Sequence, residues 1–260
     1  MSKRPLNALL VDSHCHLDLY SSPDQIIAEA ETQSIFTVAV TNAPSVFFHT
    51  AKLTANCKYV RPAVGLHPEL VHSHGHEIQQ MRPLLKQTQL VGEIGLDYQT
   101  DDHTNRKAQR DVLSSVVAWC AEDGDKVLTL HSRRAAADVI AIIGGNFPGI
   151  AILHWFSGTA KELDKAIDAG FYFSVNSSMI ASAKGKSLIE RMPRDKVLTE
   201  TDGPFVKVAS RPARPTDVSE VVKQLASLWG LSEEPAAQQI VQNLGLILQT
   251  SASESPQIGI

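Results

Sequence analysis

The chain has 260 residues, 43% hydrophobic and 20% charged, the composition of a soluble globular protein with enough length for one large domain or two small ones. Twenty-four basic residues against 28 acidic leave a formal charge of -4, which disfavours a module that clamps nucleic acid by charge alone. Cys15, Cys57 and Cys120 are odd in number, far apart and outside any CxxC, so reduced thiols in a cytoplasmic protein are expected, and no apolar run is long enough for a secretory signal or a membrane span.

Ala8-Leu9-Leu10-Val11 reads as a first strand running into His14 and His16. The i, i+2 spacing turns both imidazoles to one face of a strand, with Cys15 facing away into the wall. Alone, this pair fits two readings equally: half of a metal site, or one buried structural histidine and one exposed. Ser22-Pro23-Asp24 starts a helix with Ile26, Ile27 and Ala30 on one face. Residues 35–40 form a β-branched second strand, and Ala43-Pro44 opens a helix toward Cys57. Residues 59–64 are a third strand, weakened at its start by Pro62, that ends in Gly65-Leu66-His67-Pro68. His72, His74 and His76 fall in a solvated loop that enters a helix at His76-Glu77.

Residues 90–98 are the fourth strand and its exit loop, followed by a helix over 105–122 with Val112, Val116 and Trp119 on one face. The fifth strand, 126–131, leads to a helix from about Arg133 to Gly144-Gly145. The sixth, 150–154, precedes a helix capped by Thr159 and stopped at Gly170. The seventh is 171–175; a short helix with Leu188 and Ile189 precedes the eighth, 195–200. Helices over 217–229 and 233–249 finish the chain, with a loose polar tail from Ser251.

Eight strand-like runs separated by helices imply parallel pairing with right-handed crossovers. Eight units in ~250 residues match an α/β (β/α)8 TIM-like barrel, expected as a single domain over 1–250 with a flexible tail over 251–260. A doubly wound open sheet is the competing fold, but no Gly-x-Gly-x-x-Gly or P-loop follows the first strand.

In such a barrel, reactive residues sit at the C-terminal ends of the strands. His14 and His16 follow strand one and His67 strand three; Glu93 lies late in strand four; His131 and His154 end strands five and six; Asp202 follows strand eight. Leaving His67 aside, four imidazoles and two carboxylates share one rim, and burying that many titratable groups is costly unless they are paired or bound to metal. Strands one and eight close the barrel, which groups His14, His16 and Asp202; strands five and six group His131 and His154; Glu93, with two oxygens, is placed to bridge. Imidazole with carboxylate suits Zn2+, Mn2+, Co2+ or Fe2+ and is poor for Ca2+. Two divalent ions against two carboxylates leave a formal +2 that attracts anions, and two metals ~4 Å apart are the usual clamp for phosphoryl transfer.

At these residues the sequence resembles the TatD family of metal-dependent nucleases, within the amidohydrolase-like barrels. The matching stretches are Asp12-Ser13-His14-Cys15-His16-Leu17-Asp18, Gly65-Leu66-His67-Pro68, Gly92-Glu93-Ile94-Gly95-Leu96-Asp97-Tyr98, His131-Ser132-Arg133, His154-Trp155-Phe156-Ser157-Gly158 and Glu200-Thr201-Asp202-Gly203-Pro204. The resemblance implies a TIM-like barrel, hydrolysis of phosphodiester bonds in DNA, often at single-stranded ends, and ligation of two divalent ions (Zn2+, Mn2+ or Mg2+) by His14, His16, Glu93, His131, His154 and Asp202. A closer resemblance is to the TatD-like component of Qat anti-phage defence systems. It rests on His131-Ser132-Arg133-Arg134-Ala135-Ala136, His154-Trp155-Phe156-Ser157-Gly158-Thr159, Ala181-Ser182-Ala183-Lys184-Gly185-Lys186 and the stretch Met192 through Phe205, and it implies other Qat proteins as partners. Two loops depart from the family. Arg211-Pro212-Ala213-Arg214-Pro215 stands where Arg-Asn-Glu-Pro is common, and Gln99-Thr100-Asp101-Asp102 follows Tyr98; both are expected on the substrate rim.

The expected chemistry is attack by a metal-activated hydroxide, with Asp202 as general base and Glu93 at the reacting centre. Arg133 and His67 are the substrate-binding candidates. Arg133 can pair with phosphate or serve as a cap or surface ion pair, and His67 can touch phosphate or pack before Pro68. Glu200 shares a face with Asp202 or orients a ligand, Asp97 bonds its loop, and Trp155 and Phe156 stack a base or fill the core. Two other functions compete: an amidohydrolase acting on a small cyclic amide or ester, and a non-catalytic recognition subunit of a defence complex.

Overall fold

Strand and helix alternate along the chain in the computed structural model, which describes residues 9–250. In order the elements are β1 (Leu10–Cys15), α1 (Pro23–Thr32), β2 (Ile35–Ala39), α2 (Pro44–Leu53), β3 (Val60–Pro62), α3 (Val71–His74), α4 (Ile78–Leu84), β4 (Leu90–Gly95), α5 (His103–Asp123), β5 (Val127–His131), α6 (Ala136–Ile143), β6 (Ile150–His154), α7 (Ala160–Asp168), β7 (Tyr172–Val175), α8 (Ser177–Ala181), α9 (Ala183–Ile189), β8 (Val197–Thr199), β9 (Lys207–Val208), β10 (Arg211–Pro212), α10 (Val218–Trp229) and α11 (Glu233–Thr250).

β1 to β8 pair in parallel and in sequence order, as β1-β2-β3 and β4-β5-β6-β7-β8. Two seams close them into a TIM-like barrel. At one, Val64 bridges Val91 beyond the end of β3. At the other, Ser13 Oγ donates to the carbonyl of Thr199 (3.0 Å), the Thr199 hydroxyl donates to the carbonyl of Val11, and Asp202 N donates to the carbonyl of His14 (2.9 Å). The strands read as near-continuous apolar runs because helices cover the outside and packed side chains fill the inside. α11 lies against β1 and β8, and Asn243 Nδ2 donates to the carbonyls of Val197 (2.7 Å) and Arg194 (2.8 Å). Among the described residues no helix is long and apolar enough to cross a membrane.

Several local expectations need correction. The His72–His76 stretch is helical, because Val71, Ile78, Met81 and Leu85 recur at helical spacing and pack inward. The third strand is three residues long and ends at Pro62, which has no N–H to extend the ladder. α6 starts at Ala136, since Arg134 takes a left-handed φ of 55° and breaks the preceding turn. Two short helices, capped by Asn176 and Ser182, replace the single one expected before β8, and the β9–β10 hairpin was not foreseen. Thr159 caps α7 as expected, in a capping box with Glu162. The tail expected over 251–260 lies outside the described residues.

Candidate metal centre

Two strand irregularities stand at the level of the donor residues. Against β2, Asp12 pairs with Thr37 and Cys15 with Ala39, so three steps on β1 (15 − 12) match two on β2 (39 − 37). Against β5, Val91 pairs with Leu128 and Ile94 with Leu130, again three steps against two. Each is a one-residue bulge, a device that re-aims side chains beside active sites. His14 lies in one and Glu93 in the other.

The seven histidines and carboxylates expected at strand ends converge. Glu93 is buried at their centre and its two oxygens divide them. Oε2 lies 3.4 Å from His14 Nε2 and 3.3 Å from His16 Nε2, and these two nitrogens are 3.9 and 3.6 Å from Asp202 Oδ1. Oε1 lies 2.7 Å from His131 Nδ1, 2.8 Å from His154 Nε2 and 3.4 Å from His67 Nε2. The imidazoles of His14 and His154 stack at 3.9 Å.

This donor set fits divalent cations. Nitrogen faces nitrogen between His14 and His16 (3.3 Å) and between His131 and His154 (3.4 Å), and both members of each pair also face one oxygen of Glu93; a single N–H between the rings leaves the accepting nitrogen's lone pair against that oxygen, whereas a cation meets all three. Buried Nδ1 atoms of His16 and His154 have no hydrogen-bond partner. Burial, reinforced by neighbouring His154, lowers His14 to about 4, which keeps its ring neutral as a ligand must be. Burial opposes ionisation of Glu93, yet the surrounding His67, His154 and His14 hold it well below the usual carboxylate range. Burial pushes Asp202 well above that range.

Supporting residues orient the cluster. His131 Nε2 is 2.8 Å from Asp97 Oδ2, and Asp97 also accepts from Gln99 N (2.8 Å), so Asp97 is an orienting carboxylate and not only a loop hydrogen-bonder. Thr129 Oγ1 lies 2.7 Å from His14 Nδ1. Glu200 has no exposed surface; it accepts from Trp155 N (3.1 Å), Asn176 Nδ2 (2.9 Å) and the Ser174 hydroxyl. It thereby anchors Trp155 at a φ of 37°, a value a bulky residue holds only when its surroundings impose it. Asp12, fully buried, accepts from Thr201 N (2.8 Å), Thr201 Oγ1 (2.5 Å) and His14 N (3.4 Å), and burial raises it to about 7. Sequence reasoning assigned no role to Asp12 or Thr129. For Thr129 the signal was present, since it sits two residues before His131 on one strand.

The cluster lies at the floor of a cleft of ≈ 580 Å³ whose lining includes Asn42, His67, Arg133, Trp155, Ser157 and Phe205. Arg133 stands at the rim, where the Gln99 amide, turned with its oxygen inward, accepts from its guanidinium (2.6 Å). Phe156 packs edge-to-face on Phe173 in the core. The Arg211–Pro215 stretch does not reach the cleft: Arg211 pairs with Asp217 (2.7 Å) and Arg214 with Glu29 (3.1 Å). His72 and His74 bond locally, to the carbonyl of Glu69 and to the Ser73 hydroxyl.

The sequence model of the TatD related DNase family matches residues 11–249. The chain belongs to this family of metal-dependent hydrolases. It is similar to the uncharacterized metal-dependent hydrolase YcfH of Escherichia coli K12, with 28% identity over 272 residues covering 96% of this chain and 99% of that protein. It is 25% identical over 254 residues to the human deoxyribonuclease TATDN3, covering 90% and 92% of the two chains. It is 29% identical over 195 residues to the 3'-5' ssDNA/RNA exonuclease TatD of Edwardsiella piscicida, covering 69% and 74%. Among solved structures, the TatD homolog YJJV of Escherichia coli K12 superposes with a TM-score of 0.82 at 23% identity, covering 92% of this chain and 98% of that one, which shows the shared barrel.

Proposed function

We propose that this TatD-family protein hydrolyses phosphodiester bonds in DNA, trimming single strands from an end, with two divalent ions (Zn2+, Mn2+ or Mg2+) as cofactors. The observation that carries this reading is the division of Glu93: one oxygen faces His14, His16 and the Asp202 side, the other faces His131 and His154. The names of the human and Edwardsiella relatives support DNA as the substrate class.

His14, His16, Asp202 and Glu93 would hold one ion, and His131, His154 and Glu93 the other. When bound, the ions supply Lewis acidity toward the phosphoryl oxygens and make water a stronger acid. The carboxylate of Asp202, which lines the cleft, accepts the proton of the attacking water at an oxygen and returns it to the leaving group. Asp97 and Glu200 hold the histidine rings and the Trp155 backbone in place, which keeps reacting groups aligned without reorganisation. Arg133 and His67 line the cleft where a phosphate would lie and bind it by charge and hydrogen bond.

Chelation with EDTA is expected to abolish cleavage of single-stranded DNA and a divalent ion to restore it. Asp202→Asn is expected to lower turnover at least ~100-fold with an unchanged melting curve. Turnover that survives complete metal removal, or a normal rate in Asp202→Asn, overturns the mechanism. A finer reading, the nuclease of a cytoplasmic Qat-type anti-phage system acting with other proteins of that system, rests on the four stretches quoted above. Its test is phage plating on cells carrying the complete system: protection lost with Asp202→Asn supports it, and protection kept favours a recognition subunit.

A further inference from the structure

The cleft has two unlike walls. Strand order around the barrel places the loop after β5 across from the loop after β1, with the loops after β6 and β7 between β5 and β8. On the β8–β1 side, Phe205 is 59% exposed and its ring meets that of His16 edge-to-face at 5.0 Å. Leaving a phenyl ring in water gains nothing for folding, and its position at the cleft floor's edge gives it a flat apolar surface for a ligand. Two cations stand on the stretch of rim that runs from β5 to β7. Arg133 follows β5 at the rim, and Lys184, at the start of α9 in the crossover from β7 to β8, donates from Nζ to the carbonyl of Ser157 (2.6 Å), a cleft residue after β6. Among the described residues no carboxylate pairs with Lys184, so its charge is anchored but not neutralised. Glu69, exposed on the β3 side of the cleft, repels phosphate from that quarter.

We propose that Phe205 is a stacking platform for a nucleobase and that Lys184, together with Arg133, is the track for the sugar-phosphate backbone. A single strand then lies with its bases toward Phe205 and its phosphates along the rim from Arg133 to Lys184. A single strand has one edge of flat π-faces and one of negative charge, and matches both walls at once. A duplex hides its internal base faces and offers Phe205 only the face of its terminal pair. The assignment rests on the nuclease reading above and adds which residues orient the strand.

The test uses the metal-loaded full-length protein and oligothymidylates whose terminal nucleotide, at the 5' or the 3' end, is intact or replaced by a tetrahydrofuran residue that lacks the base. The wild type is expected to prefer the intact end by about tenfold in kcat/KM, the scale of one base–aromatic stack. Phe205→Tyr keeps that ratio; Phe205→Ala and Phe205→Leu bring it to about one. Lys184→Ala reduces the slope of log(kcat/KM) against log[salt] by about 0.7, the release of one phosphate contact on a single strand, and Lys184→Arg restores it. Both side chains are at the surface, so melting temperatures report intact folds. A base preference retained in Phe205→Ala or Phe205→Leu, or a salt slope unchanged in Lys184→Ala, overturns the assignment. If the wild type cuts neither strand, the nuclease reading itself falls; cutting with both ratios untouched removes only the roles of Phe205 and Lys184.

Discussion

Asp12 links the two ends of the barrel that carry the donor residues, and removing it should expose how much of the site depends on that link. Its carboxylate receives Thr201 N at 2.8 Å, Thr201 Oγ1 at 2.5 Å and His14 N at 3.4 Å, all in the fully buried seam between β1 and β8. In Asp12→Ala the Thr201 hydroxyl can turn to another acceptor, but the two backbone N–H groups cannot. Each buried N–H left without a partner costs about 1–3 kcal/mol, so the variant should lose roughly 2–6 kcal/mol of stability, in the lower half of that range because the His14 bond is long (3.4 Å). Asp12→Asn keeps one carbonyl oxygen for Thr201 N and should lose only about 1 kcal/mol. Urea unfolding of the metal-loaded protein measures both. A parallel turnover assay should show Asp12→Ala slower than Asp12→Asn, since the latch sets the spacing of His14 and Asp202. An Asp12→Ala variant within about 0.5 kcal/mol of wild type, or an Asn variant no better than Ala, would show that the backbone bonds of the seam suffice without the carboxylate.

Two further substitutions probe the frame. Gly95 has φ 144° and an added Cβ would lie 2.1 Å from the carbonyl oxygen of His131, so Gly95→Ala should cost several kcal/mol and displace His131; the readouts are soluble yield, melting temperature and cleavage rate. Thr159→Ala removes the acceptor for Glu162 N (3.2 Å) and breaks the capping box of α7, which should cost about 1 kcal/mol in urea unfolding; a shift under about 0.2 kcal/mol would mean that the cap contributes nothing.

The barrel was legible in the sequence because most of the eight strands carry an apolar run and nearly every crossover carries a helix with one apolar face. The donor residues were legible because each follows or ends one of those runs. What escaped depends on partners far along the chain or on backbone geometry that residue type does not announce. Asp12 and Thr201 are 189 residues apart, so nothing local marks their bond. The β9–β10 hairpin has two-residue strands with no alternation to read, and it turns at Ala209 and Ser210 with φ of 47° and 70°, conformations that these residue types seldom adopt. The histidine stretch before α4 was misread because its polar residues obscured the helical spacing of Val71, Ile78 and Met81.

The His14–His16 pair shows how a sound conclusion can come from an incomplete premise. Regular alternation along a strand places residues i and i+2 on one face. β1 is not regular there: the bulge between Asp12 and Cys15 inserts a residue, and the strand ends before His16, whose φ and ψ are −91° and 77°. Alternation alone therefore does not aim the pair. His14 is aimed by the bulge, by Asp12 on its N–H and by Thr129 on its Nδ1; His16 is aimed by its own N–H, which donates to the carbonyl of Gly203 (2.8 Å). Both anchors reach beyond β1, to β5 and to the loop that carries Asp202. The two histidines thus converge on Glu93 because the barrel is closed around them, and a β1 peptide with the same spacing would lack that arrangement. Their shared face belongs to the tertiary fold.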